Sequence, residues 1–471
     1  MISETSPLIE DSNGRVLHAP TTTLWEARAI LSSSLPLIIT FFLQYSLTVV
    51  SIFSVGHIGK TELAAVSLAI MTFNVTVSIF NGMATCLDTL CAQAYGAKKY
   101  SLVGLYFQKC TAMLLVCAIP IVTLWCCSGS ILIHIVEEPQ LAVLAQTYLR
   151  IISFGAPGYI CFETGKRFLQ AQGVFHAGQY CLFIVAPINV LLNYVLVWDP
   201  TIGIGFIGAP ISTAISYWLM SFLLLGYVLL VDGKKCWNGL QLQESFNIRS
   251  WGPMMGLALN GTAMLLSEFI AFEILTLSAA RFGTTSLAAQ SIVSTMATLF
   301  FQVPFGVSVA VSTRMGNYIG AEKIVAAQTV NRVAILAALL LGVCNCTLLV
   351  SAKVHIATLF TDDKDVISSA SVIIEILGIN QLYDCANVLF AGCLRGQGRQ
   401  HIGSALNLIA YYVVAVPLGL FFAFSLDLKL VGLWSGLGVG IFVLSVSEAW
   451  FVFTSNWPQI LNESKERTSG Y

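Results

Sequence analysis

The sequence predicts an all-α membrane protein with twelve transmembrane helices in two six-helix lobes, which are related by a parallel pseudo-two-fold repeat. Of its 471 residues, 56% are hydrophobic and only 10% are charged, whereas a soluble chain of this length needs more charge to cover its surface. The apolar residues form long blocks, such as 35–55, 102–127 and 326–350. About 20 helical residues cross the roughly 30 Å of hydrocarbon in a bilayer, and helices satisfy their own backbone hydrogen bonds there.

Composition excludes several other classes of protein. The apolar blocks lack the alternating polarity of an outer-membrane β-barrel. The net charge is −1 and there is no basic tract, so we expect no nucleic-acid partner. Residues 1–23 are polar and lack the apolar core of a cleavable signal peptide. Most of the 13 cysteines lie inside apolar blocks, where we interpret them as small buried hydrophobic residues and expect neither a disulfide framework nor a metal site.

The spans divide the chain into two halves joined by a polar connector. We expect an N-terminal tail at 1–34, an N-terminal lobe at 35–231, a linker at 232–250, a C-terminal lobe at 251–455 and a C-terminal tail at 456–471. The predicted spans begin near Leu35, Leu63, Leu102, Leu141, Gln179, Phe206, Gly252, Leu287, Ala326, Ile367, Ile402 and Leu430.

The two halves are related in sequence. The segment 59–67 (GKTELAAVS) resembles 283–291 (GTTSLAAQS), an offset of 283 − 59 = 224 positions. The same offset relates Gly82 to Gly306 and Gly96 to Gly320. Six spans in each repeat give both halves the same orientation, so the repeat axis runs along the membrane normal.

The distribution of Lys and Arg predicts the orientation in the membrane. With the N-terminus inside, the inner loops hold more Lys and Arg than the outer loops, so we expect both termini in the cytoplasm. Glu137, Glu138, Asp362 and Asp363 add acidic residues to the outer loops. Residues 4–9 (ETSPLI) fit an acidic dileucine sorting signal, which favours a vacuolar or lysosomal membrane, with the plasma membrane as the alternative.

Nucleotide-binding motifs fail in their context. Residues 203–208 (GIGFIG) match a dinucleotide fingerprint, but they lie in a predicted outer loop with no preceding strand. Residues 59–61 (GKT) imitate the end of a phosphate-binding loop without its first glycine, since Ser54 stands there.

The six histidines lie in the tail, in loops or at span ends, and they form no catalytic pattern, so we expect no enzyme.

Carboxylates within the spans are the main candidates for function. A charged group deep in a membrane costs roughly 3 kcal/mol or more, so it is retained for a reason. Span seven holds Glu268 and Glu273, which are five residues apart and therefore about 140° apart around a helix. Span ten holds Asp384 near mid-depth and Glu375 nearer its outer end, where we expect Glu375 to meet water. A carboxylate in an apolar cavity can bind and release protons near neutral pH, and if its charged form also binds a cation, proton and cation compete for one site.

A second group of residues is predicted to line the cavity or to act in gating. Asp88 lies near the inner end of span two, where we favour a structural or gating role. The other candidates are polar or aromatic residues and one proline within spans: Tyr45, Gln93, Tyr95, Gln302, Pro304 and Tyr383.

Several motifs together resemble the eukaryotic branch of the multidrug and toxic compound extrusion (MATE) family. They are 55–59 (VGHIG), 88–97 (DTLCAQAYGA), 302–310 (QVPFGVSVA) and 392–400 (GCLRGQGRQ), and their order and spacing are more specific than any one of them. The resemblance covers nearly the whole chain. It implies two lobes around a central cavity, alternating access, and export of organic cations or related compounds against protons or sodium.

The resemblance also assigns residues. The family's two glutamates of span seven correspond to Glu268 and Glu273, and its acidic position in span ten corresponds to Asp384. Ser51 stands where sodium-coupled bacterial members carry Asp, and Ser294 and Thr295 stand where animal members carry a further Glu. These departures move the expected coupling to the C-terminal lobe and favour protons over sodium.

We therefore expect a monomeric antiporter for a small, cationic organic substrate, without cofactor, metal or nucleotide. The alternative is a lipid or lipid-linked oligosaccharide flippase with the same two-lobe plan. A flippase cavity needs several cations for phosphate groups, and the sequence analysis finds few within the spans, mainly Arg150.

Overall fold

The computed structural model describes residues 22–134 and 139–469, together with the backbone of 8–10 and 16–18. Those two short segments form an antiparallel pair, β1 (Leu8–Glu10) and β2 (Val16–His18), in which Leu8 is opposite His18. Most of the predicted sorting signal at 4–9 lies outside the described residues, as do Glu137 and Glu138.

The described residues of the N-terminal half form nine α-helices. In chain order they are α1 (Thr23–Gly56), α2 (Lys60–Ala84), α3 (Cys86–Gly96), α4 (Tyr100–Cys126), α5 (Ser128–Leu132), α6 (Pro139–Ser153), α7 (Ala156–Ala171), α8 (Ala177–Trp198) and α9 (Gly208–Leu230). Thr22 caps α1 by accepting a hydrogen bond from the backbone N–H of Trp25. Residues 203–208, the dinucleotide-like motif, form the turn that precedes α9.

The connector between the halves is ordered and packs on the N-terminal half. It contains a 3₁₀ turn (Lys234–Cys236), the short helix α10 (Leu242–Ser245) and a second 3₁₀ turn (Ile248–Trp251). Gln108 of α4 donates from Nε2 to the carbonyl of Gly239 at 2.8 Å and accepts from the backbone N–H of Gln241 at 2.7 Å. The predicted linker is therefore attached to α4 rather than free.

The C-terminal half follows with longer helices. They are α11 (Gly252–Ala280), α12 (Thr284–Gly320), α13 (Ile324–Thr358), α14 (Lys364–Gln397), α15 (Gln400–Leu408), α16 (Val416–Leu420), α17 (Lys429–Phe453) and α18 (Trp457–Ser469). Two π-helical segments, Ile409–Ala415 and Phe421–Ser425, flank α16. Pro417, which lacks a backbone donor, lies in the first turn of α16 between them.

The predicted membrane spans are largely confirmed. Among the described residues, eleven helical stretches are long and apolar enough to cross a bilayer. The fourth predicted span, near Leu141, is instead two shorter helices, α6 and α7, that are interrupted at Phe154 and Gly155. The first helix begins at Thr23, well before the predicted start at Leu35. Its first turns are more polar than the rest, so hydropathy alone does not mark them as part of the helix.

One end of the molecule, which we call the terminal side, carries the start of α1, the connector and α18. The two halves contact each other closely on this side. A Cβ on Gly96 would lie 2.0 Å from the carbonyl oxygen of Asn317, and one on Gly320 would lie 2.0 Å from that of Gln93. These two glycines are the repeat-related pair of the sequence analysis, so α3 and the end of α12 pack as symmetric counterparts. Glycine is required where backbones approach this closely.

Candidate functional site

A cavity lies where the two halves meet, and most of its wall belongs to the C-terminal half. Its empty space amounts to about 450 Å³, which includes space open to the surroundings. One of its lining residues, Thr85, comes from the N-terminal half, and the others come from the C-terminal half: Gly261, Met264, Leu265, Glu268, Phe301, Phe305, Asn387, Val388, Ala391, Arg395 and Asn407. The wall is thus mainly apolar with a few polar groups, as is usual for sites that bind small organic molecules.

Glu268 is the carboxylate that lines this cavity. It lies a little past the middle of α11, which begins at Gly252, the predicted start of span seven. No Lys or Arg of the described residues forms an ion pair with it. The charges of Asp384 and Arg395 both act on it. Glu268 is therefore positioned to meet a cation or a proton in the cavity.

Asp384 is held behind the cavity wall by amide groups. Gln381 donates from Nε2 to Asp384 Oδ2 at 3.2 Å, and Asn387, which lines the cavity one turn further along α14, also hydrogen-bonds its carboxylate. Asp384 has no ion-pair partner among the described residues. The structure thus brings the two carboxylates of spans seven and ten into electrostatic contact around one cavity.

The structure separates Glu273 and Glu375 from this site. Glu273 is half-buried on α11 and is not among the residues that line the cavity. Glu375 pairs with Lys353 of α13, and its side chain is 44% exposed.

Asp88 and Gln93 contribute to the contact on the terminal side. Arg167 donates from Nη1 to both carboxylate oxygens of Asp88, at 2.7 and 2.8 Å, and both side chains are buried. Gln93 donates from Nε2 to the carbonyl of Gly396 at 3.1 Å, across the interface between the halves. Tyr95 lies two residues after Gln93, with its ring 5.3 Å from that of Tyr100.

The remaining predicted residues occupy different positions. Pro304 is buried in α12 between Phe301 and Phe305, two aromatic residues of the cavity wall whose rings stack 5.3 Å apart. Tyr383 donates to Asn380 Oδ1 at 2.9 Å, next to Asp384 in sequence. Tyr45 and Gln302 are half-buried in α1 and α12, and neither is among the residues that line the cavity.

Sequence reasoning assigned several cations to the wrong environment. Lys166, Arg167 and Arg395 fall in the polar stretches between predicted spans, yet they lie within helices and are 4%, 6% and 4% exposed. Arg150, expected to be the main cation within the spans, is exposed and donates from Nε to the carbonyl of Cys126 at 2.8 Å. The polar loops predicted around these residues are continuations of the helices, which is why the hydropathy pattern misplaced them.

These buried cations differ in their partners. Lys166 is neutralised by Glu163 at 2.8 Å, and Arg167 by Asp88. Arg395 pairs with no carboxylate of the described residues, and it is the one of the three that lines the cavity. The cavity wall therefore presents one unpaired cation, not the several that a flippase for phosphate-bearing lipids would need.

The sequence analysis did not single out the buried carboxylates Glu26, Glu163 and Glu448, and only Glu448 of these forms no ion pair among the described residues. Glu448 lies in α17 and is completely buried. The criterion that selected Glu268, a carboxylate inside an apolar span, applies equally to Glu448. In the part of the chain that the structure describes, no group of three or more His, Cys, Asp or Glu side chains is arranged to hold a metal ion.

Comparison with known proteins agrees with this architecture. The MatE family model matches residues 36–195 and 262–421, so its two matches start 262 − 36 = 226 residues apart, close to the offset of the internal repeat. An uncharacterized transporter of Saccharomyces cerevisiae is 44% identical over 444 residues, which cover 94% of this chain and 64% of that protein. The human multidrug and toxin extrusion protein 1 is 31% identical over 93% of this chain and 77% of its own length.

A solved structure has the same fold over almost the entire chain. The eukaryotic MATE transporter AtDTX14 is 26% identical, with a TM-score of 0.89, and the alignment covers 95% of this chain and 99% of that one. The all-α, two-lobed membrane architecture predicted from the sequence is thereby confirmed. Because the family model matches both halves and relatives above 30% identity align along more than nine tenths of the chain, this protein belongs to the MATE family of transporters.

Proposed function

We propose that this protein is a secondary active antiporter that exports small organic cations in exchange for protons by alternating access. The observation that carries the proposal is Glu268, a carboxylate without an ion-pair partner among the described residues, in the wall of a cavity between the two halves. The similarity to a multidrug and toxin extrusion protein supports export of toxins or drugs as the general activity.

Competition for one carboxylate provides the coupling. A protonated, neutral Glu268 has no charge with which to hold an organic cation, and an ionised Glu268 does. A proton that arrives from one side of the membrane therefore displaces the cation, and a cation that arrives from the other side displaces the proton. The charge of Asp384 acts on Glu268, so ionising both carboxylates together is unfavourable. A cation or a proton that binds to this pair relieves the repulsion, and its binding is therefore more favourable.

The conformation fits the export step of this cycle. The described hydrogen bonds between the halves lie towards the terminal side, for example from Thr89 Oγ1 to the carbonyl of Arg395 and from Gln400 Nε2 to the carbonyl of Thr85 at 3.2 Å. If both termini are cytoplasmic, as the Lys and Arg distribution predicts, the cavity is closed to the cytoplasm. This is the state from which substrate leaves and into which a proton enters.

Protons are favoured over sodium as the coupling ion. Ser51, which replaces the aspartate of sodium-coupled bacterial members, is buried and its hydroxyl lies 2.9 Å from that of Thr213. The N-terminal half therefore offers no carboxylate at that position. The driving force of this cycle is a proton gradient, and the membrane in which it operates is vacuolar, lysosomal or plasma membrane.

The test is transport by the purified protein in proteoliposomes, with ethidium as a fluorescent organic cation. An imposed pH gradient, with no ATP present, should drive ethidium accumulation, and an ionophore that collapses the gradient should abolish it. Accumulation that survives the ionophore would contradict proton coupling. Movement of a fluorescent phospholipid between leaflets, without ethidium transport, would point to the flippase alternative instead.

A further inference from the structure

Glu448 differs from the other buried carboxylates because it has neither an ion-pair partner nor a hydrogen-bond partner among the described residues. Glu26 pairs with Arg314, Asp88 with Arg167 and Glu163 with Lys166. Glu448 is 0% exposed, and neither of its carboxylate oxygens has a hydrogen-bond partner among the described residues. A buried charge without hydrogen bonds or a counter-ion is strongly unfavourable. The neutral, protonated carboxyl group is therefore the form that this conformation accommodates.

Arg395 is a buried cation whose hydrogen-bonding groups are only partly satisfied by the described residues. Its guanidinium is buried, and Nε has no hydrogen-bond partner among the described residues. Nη2 donates to Ser308 Oγ at 2.8 Å, and the guanidinium carbon lies 5.7 Å from the centre of the Phe305 ring. Neither contact neutralises the charge, and arginine remains protonated in proteins. The charge of Asp88 also acts on Arg395, but no carboxylate of the described residues forms an ion pair with it. A buried cation without an ion-pair partner thus lies close enough to act on a buried carboxyl group without a hydrogen-bond donor.

Among the residues that the structure describes, Arg395 is the cation that acts on Glu448. The groups that interact electrostatically with Glu448 come from the elements packed against α17. From α14 they are Arg395 and Cys393, from the first π-helical segment Tyr411, and from α11 Glu268. The Tyr411 hydroxyl is also buried without a hydrogen-bond partner. Glu448 and Glu268 therefore share the electrostatic influence of one guanidinium, which also lines the cavity.

We propose that Glu448 is a second proton-binding residue of the exchange cycle, which releases its proton and pairs with Arg395 when the terminal side opens. This inference rests on the proposed function. Opening must break the contact between Thr89 and the carbonyl of Arg395, which holds this end of α14 against the N-terminal half. Water then reaches the region, the Glu448 carboxyl group gives its proton to water, and the resulting carboxylate accepts a hydrogen bond from Arg395. Arg395 keeps its own proton throughout, so it is a positioning residue.

The pairing would also affect the cavity. While Glu448 is protonated, the charge of Arg395 is available to Glu268 and opposes the binding of an organic cation. When Glu448 is ionised and paired, that charge is compensated, and the cavity becomes more favourable for a cation. Proton release on the terminal side would therefore raise the affinity for substrate on the side where substrate enters.

The first experiment compares proton and substrate movements in proteoliposomes, with a pH-sensitive dye inside the vesicles and ethidium as substrate. Glu448→Gln keeps the size of the side chain but cannot titrate, so we expect one proton fewer per ethidium molecule than in the wild-type protein. Glu448→Asp should retain the wild-type ratio. Glu375→Gln is the matched control, because that carboxylate is partly exposed and lies outside the cavity.

The outcomes separate this inference from the proposed function. Wild-type protein that moves no protons with ethidium would overturn the proposed function itself. Coupled wild-type protein together with an unchanged proton ratio in Glu448→Gln would overturn only the role of Glu448.

A second measurement remains decisive if Glu448→Gln fails to fold. Infrared spectroscopy of the wild-type protein and of Glu448→Asp should show a protonated-carboxyl band that shifts between the two proteins and disappears on substrate-driven opening. A band at this position that persists through substrate binding would show a permanently protonated packing residue and would overturn the inference.

Discussion

At the scale of single residues, the carboxylates within the helices differ in whether a neighbouring cation neutralises them. Asp88 and Glu268 both lie inside apolar helices, yet Asp88 forms a two-oxygen contact with Arg167, whereas Glu268 faces a cavity without an ion-pair partner among the described residues. A carboxylate paired in this way has its charge committed to the fold, whereas an unpaired one remains available to a ligand. The two residues should therefore respond to substitution in different ways.

Glu268→Gln should abolish transport that is driven by a pH gradient. Gln keeps the shape and hydrogen-bonding capacity of Glu268 but neither titrates nor attracts a cation. We expect normal expression and folding with ethidium accumulation at background level in proteoliposomes. Asp384→Asn should behave similarly, because Asn can still accept from Gln381. Glu375→Gln is the control and should transport at the wild-type rate, and a fully active Glu268→Gln protein would refute the mechanism.

Asp88→Ala should instead reduce stability. Removing the carboxylate leaves the guanidinium of Arg167 buried without a counter-ion, which costs about 3–5 kcal/mol for a buried pair. We expect a clear fall in the thermal unfolding midpoint of the detergent-purified protein. Lys465→Ala, which breaks the exposed pair with Glu322, is the control and should hardly change that midpoint. An unaltered midpoint in Asp88→Ala would mean that the pair does not stabilise the fold.

At the scale of helices, the contact between the halves depends on close backbone approach. The symmetric positions Gly96 and Gly320 each lie against a carbonyl oxygen of the other half. Hydrogen bonds from Gln93 and Gln400 cross the same interface. These polar and backbone contacts accompany apolar packing on the terminal side, where Ile30 of α1 shares a buried cluster with Met315 and Ile319 of α12. An opening of this side must separate both kinds of contact.

Gly320→Ala should weaken this closure. The added methyl group would lie 2.0 Å from the carbonyl oxygen of Gln93, so the end of α12 must move away from α3. We expect a spin-label pair on Lys98 and Lys323, which flank this contact, to show a longer distance or a broader distribution by electron-electron double resonance. Gly226→Ala in α9, where a Cβ would meet nothing within 4 Å, is the matched control. An unchanged distance in Gly320→Ala would contradict a role for this contact in closure.

Helix α18 spans the interface on the same side. Arg467 donates from Nη1 to Gln93 Oε1 at 3.3 Å and from Nη2 to the carbonyl of Gly398 at 3.2 Å. Lys99 of the N-terminal half donates to the carbonyl of Thr468 at 2.6 Å. The residues that the sequence analysis treats as a C-terminal tail thus connect both halves.

Arg467→Ala should therefore favour opening of the terminal side. The substitution removes the hydrogen bonds from one side chain to both halves, while the rest of α18 keeps its own contacts. We expect spin labels on Lys98 and Lys323, which flank the interface, to show a longer distance or a broader distribution in Arg467→Ala than in the unsubstituted background. Gln459→Ala, on the exposed part of α18, provides the control. Identical distance distributions for Arg467→Ala and the unsubstituted background would exclude α18 as a clasp.

At the scale of the whole molecule, the duplicated architecture fixes the relation between the ends of the chain. Both halves start and finish on the terminal side, as two repeats of six spans in the same orientation require. The connector and α18 both lie there as well. A single measurement of sidedness therefore orients the entire protein.

We expect the terminal side to face the cytoplasm. Cysteines introduced at Lys234 in the connector or at Asn462 in α18 should react with an impermeant maleimide only after the cells are permeabilised. The exposed Cys127 and Cys344 are replaced by serine beforehand, because they would add signal. A cysteine at Lys60, on the opposite side, should react in intact cells if the protein is in the plasma membrane. Labelling at Lys234 in intact cells would invert the topology.

The sequence by itself determined the class of protein, the positions of most spans and the internal repeat, and it singled out Glu268 and Asp384 as candidate carboxylates. These features follow from local hydropathy and from spacing along the chain, since an apolar stretch of sufficient length has few alternatives to a transmembrane helix. Only the tertiary structure decided which charges are paired. Arg167 finds Asp88 79 positions away, and Arg314 finds Glu26 288 positions away. Pairing at such separations depends on how helices pack, so neither the availability of Glu268 nor the isolation of Glu448 and Arg395 could be read from the order of residues.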